Sequence, residues 1–110
     1  MTALLNKTSR ARENEPALNR SEAQTLLGEI PGWALNDNAT EISRSYKFKN
    51  YYETIAFVNA LAWIMHREDH HPDLEVGYNR CHIRFSTHSV KGLSENDFIC
   101  AAKINALRKD

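Results

Sequence analysis

All five histidines of this 110-residue chain, His66, His70, His71, His82 and His88, fall in one short stretch. Imidazole titrates near neutral pH, so histidines gathered in one place suit the giving and taking of protons. Chance accounts poorly for the grouping, because the rest of the chain holds no histidine. Three chemistries compete for it. His66 and His70 stand at i,i+4 spacing, with which two imidazoles on a helix can grip zinc. The intervening Arg67-Glu68-Asp69 puts Glu68 two residues after the first histidine, however, and not directly after it as in HExxH enzymes. Nucleophilic catalysis needs a thiol or hydroxyl beside a base. Cys81 adjoins His82 in sequence, but neighbours on a strand point to opposite faces. The third chemistry is metal-free acid–base work around a bound heterocycle, and His70-His71-Pro72 suits it. Pro72 forces an extended break and presents adjacent imidazoles in a rigid turn.

These side chains need elements to position them. Residues 1–19 are polar, mixed in charge and without periodicity, and read as a disordered N-terminal arm. Residues 20–110 read as one domain. Ser21 to Gln24 has the form of a capping box opening a helix that runs to about Glu29, where Pro31-Gly32 stops it. Trp33–Asn36 is a short strand and Asn36-Asp37-Asn38 a turn. Glu41–Phe48 alternates, with Ile42, Tyr46 and Phe48 on one face. Asn50 caps the longest helix, Tyr51 to Glu68, with Glu53 three residues on. Its middle is apolar nearly all round, which points to a subunit interface, since a surface helix shows one apolar stripe. Leu74, Val76 and Tyr78 alternate as a third strand, and Cys81, Ile83 and Phe85 as a fourth. Ser94 caps a last helix, Glu95 to about Arg108, with Ile99, Ala102, Ile104 and Leu107 in the core and Lys103, Arg108 and Lys109 toward its C-terminal end. The order implies an α+β fold: a four-stranded antiparallel sheet with helices packed on one face.

Bulk composition excludes several function classes. Lys plus Arg equals Asp plus Glu, 14 of each. That balance argues against a nucleic-acid footprint and against an anionic membrane as partner. The two cysteines are too few for a disulfide framework and read as buried reduced thiols. The N-terminus lacks a signal-peptide core, and the longest apolar run, Ala60 to Met65, is far short of the ~20 residues that span a bilayer. The expected location is the cytoplasm.

The run His66-x3-His70-His71-Pro72, followed by Tyr78, His88 and Asp97 at fixed spacings, resembles the signature of the pterin-4a-carbinolamine dehydratases. Flanking text matches too: Tyr78-Asn79, the segment from His82 to His88, and Gly92-Leu93-Ser94-Glu95-Asn96-Asp97. The resemblance covers about Ser21 to Leu107. It implies dehydration of 4a-hydroxytetrahydrobiopterin to quinonoid dihydrobiopterin plus water, which recycles the cofactor of aromatic amino-acid hydroxylases. It implies His70, His71 and His88 as catalytic residues, and substrate contacts from His70, His71, Pro72, Thr87, His88, Ser89 and Val90. It also implies no metal, no organic cofactor and a homo-oligomer, dimer or tetramer, formed through the sheet edge and helix 51–68. Leu74 departs from the pattern, since some family members carry an aromatic residue there.

Supporting positions are His66, Tyr78 and Asp97. Asp97 stands at the third position after Ser94, where a carboxylate closes a capping box, and that structural role ranks ahead of direct catalysis. Tyr78 reads as a packed strand aromatic and His82 as a solvated strand histidine. Strict alternation puts His82, Arg84, Ser86 and His88 on one polar face. Either the site opens on that face, or the strand ends near Ser86 and His88 turns toward the cleft. Two other functions compete: a metal-dependent hydrolase using His66, His70 and His71, and a protein-interaction adaptor using the apolar helix.

Overall fold

The computed structural model describes residues 3–108. Its elements are α1 (Arg20–Leu27), β1 (Ala34–Leu35), β2 (Ile42–Lys47), α2 (Tyr51–Glu68), β3 (Asp73–Val76), β4 (Arg80–Phe85) and α3 (Glu95–Leu107), with 3-10 turns at Ala3–Asn6 and His88–Val90. The sheet is antiparallel in the order β1-β2-β4-β3, so β1 and β3 are its edges. This is the α+β architecture that the sequence patterns imply.

Alternation along the strands divides the sheet into a buried and a polar face. Cys81, Ile83 and Phe85 of β4 are buried, together with Ile42 and Tyr46 of β2. Against them pack Phe57, Leu61, Ile64 and Met65 of α2 and Phe98, Ile99, Ala102 and Ile104 of α3. Each large apolar side chain so buried contributes roughly 1.5–3 kcal/mol. The opposite face carries Ser43, Ser45, Arg80, His82, Arg84 and Glu75, among which the Arg84 guanidinium pairs with Glu75 at 2.5 Å. Near the C-terminal end of α3, Asn105 ties that helix to β2 and to the loop before β1. Its Oδ1 accepts from Trp33 Nε1 (2.8 Å), the Arg44 guanidinium (2.9 Å) and the Tyr46 hydroxyl (3.0 Å), while its amide donates to the Pro31 carbonyl.

Helix α2 keeps the bounds read from the sequence. Asn50 Oδ1 accepts from the Glu53 amide at 2.9 Å and starts it. Its outward residues Tyr52 and Trp63 are 81% and 71% exposed. No described helix is long and apolar enough to cross a membrane.

Four expectations need correction. The first helix is capped by Asn19, whose Oδ1 accepts from the Glu22 amide while Glu22 returns a bond to the Asn19 amide; Ser21 lies inside the helix. Strand β3 stops at Val76 because the Gly77 amide donates to the Arg80 carbonyl (2.9 Å) and closes the turn into β4. Tyr78 therefore sits in that turn, 66% exposed and stacked on Tyr51, and is not a packed strand aromatic. Leu107 is 40% exposed at the end of α3, outside the core. Lys109 lies outside the described residues.

The N-terminal segment makes several contacts with the rest of the fold. Leu4 is buried in the core. The Ser9 amide donates to Glu68 Oε1 at 2.8 Å and its hydroxyl to the Glu68 carbonyl. Further on, Ala17 crosses Gly92 so closely that a Cβ at that glycine would stand 3.1 Å from the alanine methyl. Polar, aperiodic sequence gave no sign of this, because most of the anchoring uses main-chain groups.

Glu68 is the buried end of the anchor. Burial is the largest single influence on its carboxyl and acts upward. The hydrogen bonds from Lys103 (2.6 Å) and the Ser9 amide, with the charges of Lys103 and Arg67, together outweigh it and hold the carboxyl below its ordinary 4.5. A lowered folded value means the stabilisation is present above pH 4.5 and is lost as pH falls through the lowered value. The Ser9 amide resonance should therefore be constant from pH 7 to 5 and shift as Glu68 protonates below 4.5; a Ser9 amide blind to that titration would contradict the anchor.

Candidate active site

The site begins where α2 stops. Asp69 takes the left-handed conformation (φ 51°), and its amide bonds back to His66 O (3.3 Å) while the His70 amide bonds to Met65 O (3.3 Å). This pair of bonds satisfies the last carbonyls of the helix and folds the chain back over its end. Pro72 two residues on keeps the exit extended. His70 is thereby held against the sheet, its ring stacked on Phe85 with centroids 5.7 Å apart and planes 8° from parallel.

His70 Nε2 lies 2.6 Å from Asp97 Oδ1. Only 12% of the histidine side chain is exposed and none of the aspartate. The other carboxylate oxygen accepts from the Thr87 hydroxyl (2.8 Å) and the Ser94 amide (3.0 Å). Thr87 in turn accepts from the Ser94 hydroxyl at 2.7 Å, and the Asn96 amide donates to that same hydroxyl. A carboxylate with a partner at each oxygen fixes the histidine tautomer: Nε2 carries the proton and donates it to Asp97, which leaves Nδ1 as the nitrogen that can exchange a proton with a ligand. The carboxylate that caps α3 is thus the same one that holds the His70 ring.

Beyond Phe85 the strand ends. Thr87 makes a single bridge to Gly92 (2.7 Å and 3.4 Å), and His88–Val90 forms a 3-10 turn closed by Lys91 in the left-handed region (φ 58°). Alternation therefore does not reach His88, because β4 ends at Phe85.

Three clefts open around these residues. One, about 340 Å³, is lined by Leu61, Met65, Pro72 and Leu74 with His66, His70 and His71. A second, about 320 Å³, lies between His70, Thr87, Ser89 and Asn96 on one side and residues 9–13 on the other. A third, about 260 Å³, is lined by Thr40, Glu41, Ser86, Thr87, His88 and Lys91. His70 and Asp69 border the first two, and Thr87 the last two. The structure thus brings together His66, His70, His71 and Pro72, and joins His70 to Thr87 and Ser89, while His88 is exposed in the neighbouring cleft. Val90 is buried. His82 sits on the far face of the sheet with Nδ1 2.6 Å from Ser45 Oγ, away from the site. His66 makes an edge contact with Trp63. Among the described residues, no three His, Cys, Asp or Glu side chains are grouped to hold a metal ion. Sequence reasoning missed Phe85 as the surface under His70, as well as Asn96 and residues 9–13 as walls; none of these carries a local signal.

Residues 16–107 match the family model described as Pterin 4 alpha carbinolamine dehydratase. The chain belongs to the pterin carbinolamine dehydratase family. A protein of Nitrosomonas eutropha with the provisional name pterin-4-alpha-carbinolamine dehydratase is 58% identical over 93 residues, 84% of this chain and 80% of its own. A relative of the same provisional name from Bdellovibrio bacteriovorus is 56% identical and covers 96% of this chain and 88% of its own. The crystal structure of a transcriptional coactivator/pterin dehydratase from Brucella melitensis shares 35% identity with a TM-score of 0.79, covering 83% of this chain and 97% of that one. A pterin dehydratase-like RuBisCO assembly factor of the alpha-carboxysome, at 22% identity and TM-score 0.63, shares the fold of the pterin dehydratase family.

Two outcomes follow from the Asp97 arrangement. Neutral His70 should populate the Nε2–H tautomer, seen in its ring ¹⁵N shifts; the Nδ1–H form would contradict it. Asp97→Ala strands the Thr87 hydroxyl and the Ser94 amide and should lower stability in a urea titration by about 1–3 kcal/mol.

Proposed function

We propose that the protein dehydrates a pterin-4a-carbinolamine by histidine acid–base catalysis, converting 4a-hydroxytetrahydrobiopterin to quinonoid dihydrobiopterin and water. The observation that carries this reading is the oriented His70 imidazole, backed by buried Asp97 and bordering two clefts. In the reaction the C4a–O bond breaks, N5 loses its proton, and a C4a=N5 double bond forms. Hydroxide leaves poorly, so an acid must protonate the departing oxygen while a base takes the N5 proton; one proton is given and one taken. His70 exchanges its proton at Nδ1, and Asp97 holds the ring in place through Nε2. His88, at the mouth of the adjoining cleft, serves as the second group, and His71 holds the substrate. Such an enzyme would return a pterin cofactor to use beside an aromatic amino-acid hydroxylase.

A stopped-flow assay of carbinolamine decay tests the reading. Wild-type protein should accelerate decay over the spontaneous rate, and His70→Ala should lower kcat/KM by about 10²–10⁴-fold. His88→Ala should fall as well. No acceleration by the wild type would end the proposal, and a His70→Ala variant of full activity would end the assignment.

The same reading includes self-association. On α2 the exposed residues Tyr52, Ala56, Asn59, Trp63 and His66 recur at alternating four- and three-residue steps, the spacing of a helix-packing seam. Large aromatic groups left in water along such a seam favour a second copy as cover. Light scattering should find a dimer or tetramer, and Trp63→Glu should shift it to smaller species. A wild-type monomer at tens of micromolar would refute the seam.

A further inference from the structure

The family match begins at residue 16, yet residues before it form a wall of the His70 site. That wall is held by several independent anchors. Leu4 is 1% exposed in the core. Ser9 bonds Glu68 through both its amide and its hydroxyl. Asn96 grips the main chain of Arg10 reciprocally, accepting from its amide (3.1 Å) and donating to its carbonyl (2.6 Å). The Arg12 guanidinium, itself 8% exposed, also donates to Asn96 Oδ1 at 3.1 Å. Asn96 and Glu68 belong to α3 and α2, so the arm bridges the two helices whose ends carry Asp97 and His70.

The two clefts that meet at His70 differ in character. One is walled by Leu61, Met65, Pro72 and Leu74, an apolar surface suited to the face of a flat ring. The other is polar, lined by Ser9, Arg10 and Glu13 of the arm together with Thr87 and Ser89. In a pterin carbinolamine the reacting bond is C4a–N5, and N5 is bonded to C6, which carries the side chain. A ring lying on the apolar wall with N5 at His70 brings C6, one bond away, to the border that the two clefts share at that histidine. Hydroxyl groups leave water without loss only where polar partners replace it.

We propose that the arm segment Ser9–Glu13 is a specificity-determining wall of the substrate site, holding the hydroxylated C6 side chain of the pterin. The proposal rests on the dehydratase reading above. A site that supplies hydrogen bonds to a substrate hydroxyl discriminates against the analogue lacking it, because its own polar groups are then left unpaired.

The test compares carbinolamines bearing a 6-dihydroxypropyl or a 6-methyl group in the full chain and in Ser9→Pro, which removes the amide and hydroxyl donors to Glu68. Undocking the arm should raise KM for the dihydroxypropyl substrate about threefold to tenfold more than for the 6-methyl substrate, the loss of one hydrogen bond. Hydrogen exchange on the wild type gives a second measurement that does not depend on the variant folding. Saturating 7,8-dihydrobiopterin should slow exchange of amides 9–13 more than 6-methyl-7,8-dihydropterin does. Equal KM changes, or arm exchange indifferent to the side chain, overturn this proposal alone. Failure to bind either pterin overturns it together with the dehydratase reading.

Discussion

A carboxylate removed entirely from water must find its hydrogen bonds inside the fold, and Asp97 finds them on three elements. It receives the Ser94 amide at the start of α3, the Thr87 hydroxyl just past β4, and the His70 ring at the end of α2. Each bond fixes something different. The first starts a helix, the second locks a strand end to that helix, and the third sets the orientation and tautomer of an imidazole. Phe85 supplies the flat surface beneath that ring. Because these constraints converge on one group, the site is preorganised by the same contacts that hold the sheet to its helices.

The rest of the site is distributed around that centre rather than collected in one pocket. Clefts on either side share His70, and Thr87 is a common border between the cleft of His70 and that of His88. A strand ending at Phe85 lets the chain turn at His88 while the buried face of β4 stays regular. The buried thiols lie outside this chemistry. Burial pushes both Cys81 and Cys100 up, and the nearby Glu68 and Asp97 charges push Cys100 further, so neither is a ready nucleophile at neutral pH.

Much of this was legible in the sequence where a local rule governs. Asn50 with Glu53 at one end and Pro72 beyond the other bounded α2. Strict alternation gave β4, and Ser94 with Asp97 gave the start of α3. The spacing of His70, His71, Pro72, His88 and Asp97 carried the family resemblance, and the family match agrees with it. What escaped the sequence depends on contacts between distant residues. The Asn19 box differs from the expected Ser21 box by only two positions, and both fit the pattern. Nothing local marks Leu4 as core or says that Asn96 grips Arg10, because main-chain bonding is blind to side-chain pattern. Tyr78 fitted the period of β3, but the turn at Gly77 ended the strand first. Position alone gave Asp97 two readings, and the tertiary arrangement shows its carboxylate capping α3 and bonding His70 at once.

The stop signal of α2 has an implication for how this chain can vary. Asp69 occupies a left-handed position that glycine fills at lower conformational cost, and aspartate is among the few other residues to tolerate it. The residue also borders both clefts at His70. Selection for thermal robustness alone favours glycine there, while selection acting on the clefts can retain the carboxylate. The joint between helix and histidine is thus a place where durability and chemistry pull the sequence in different directions.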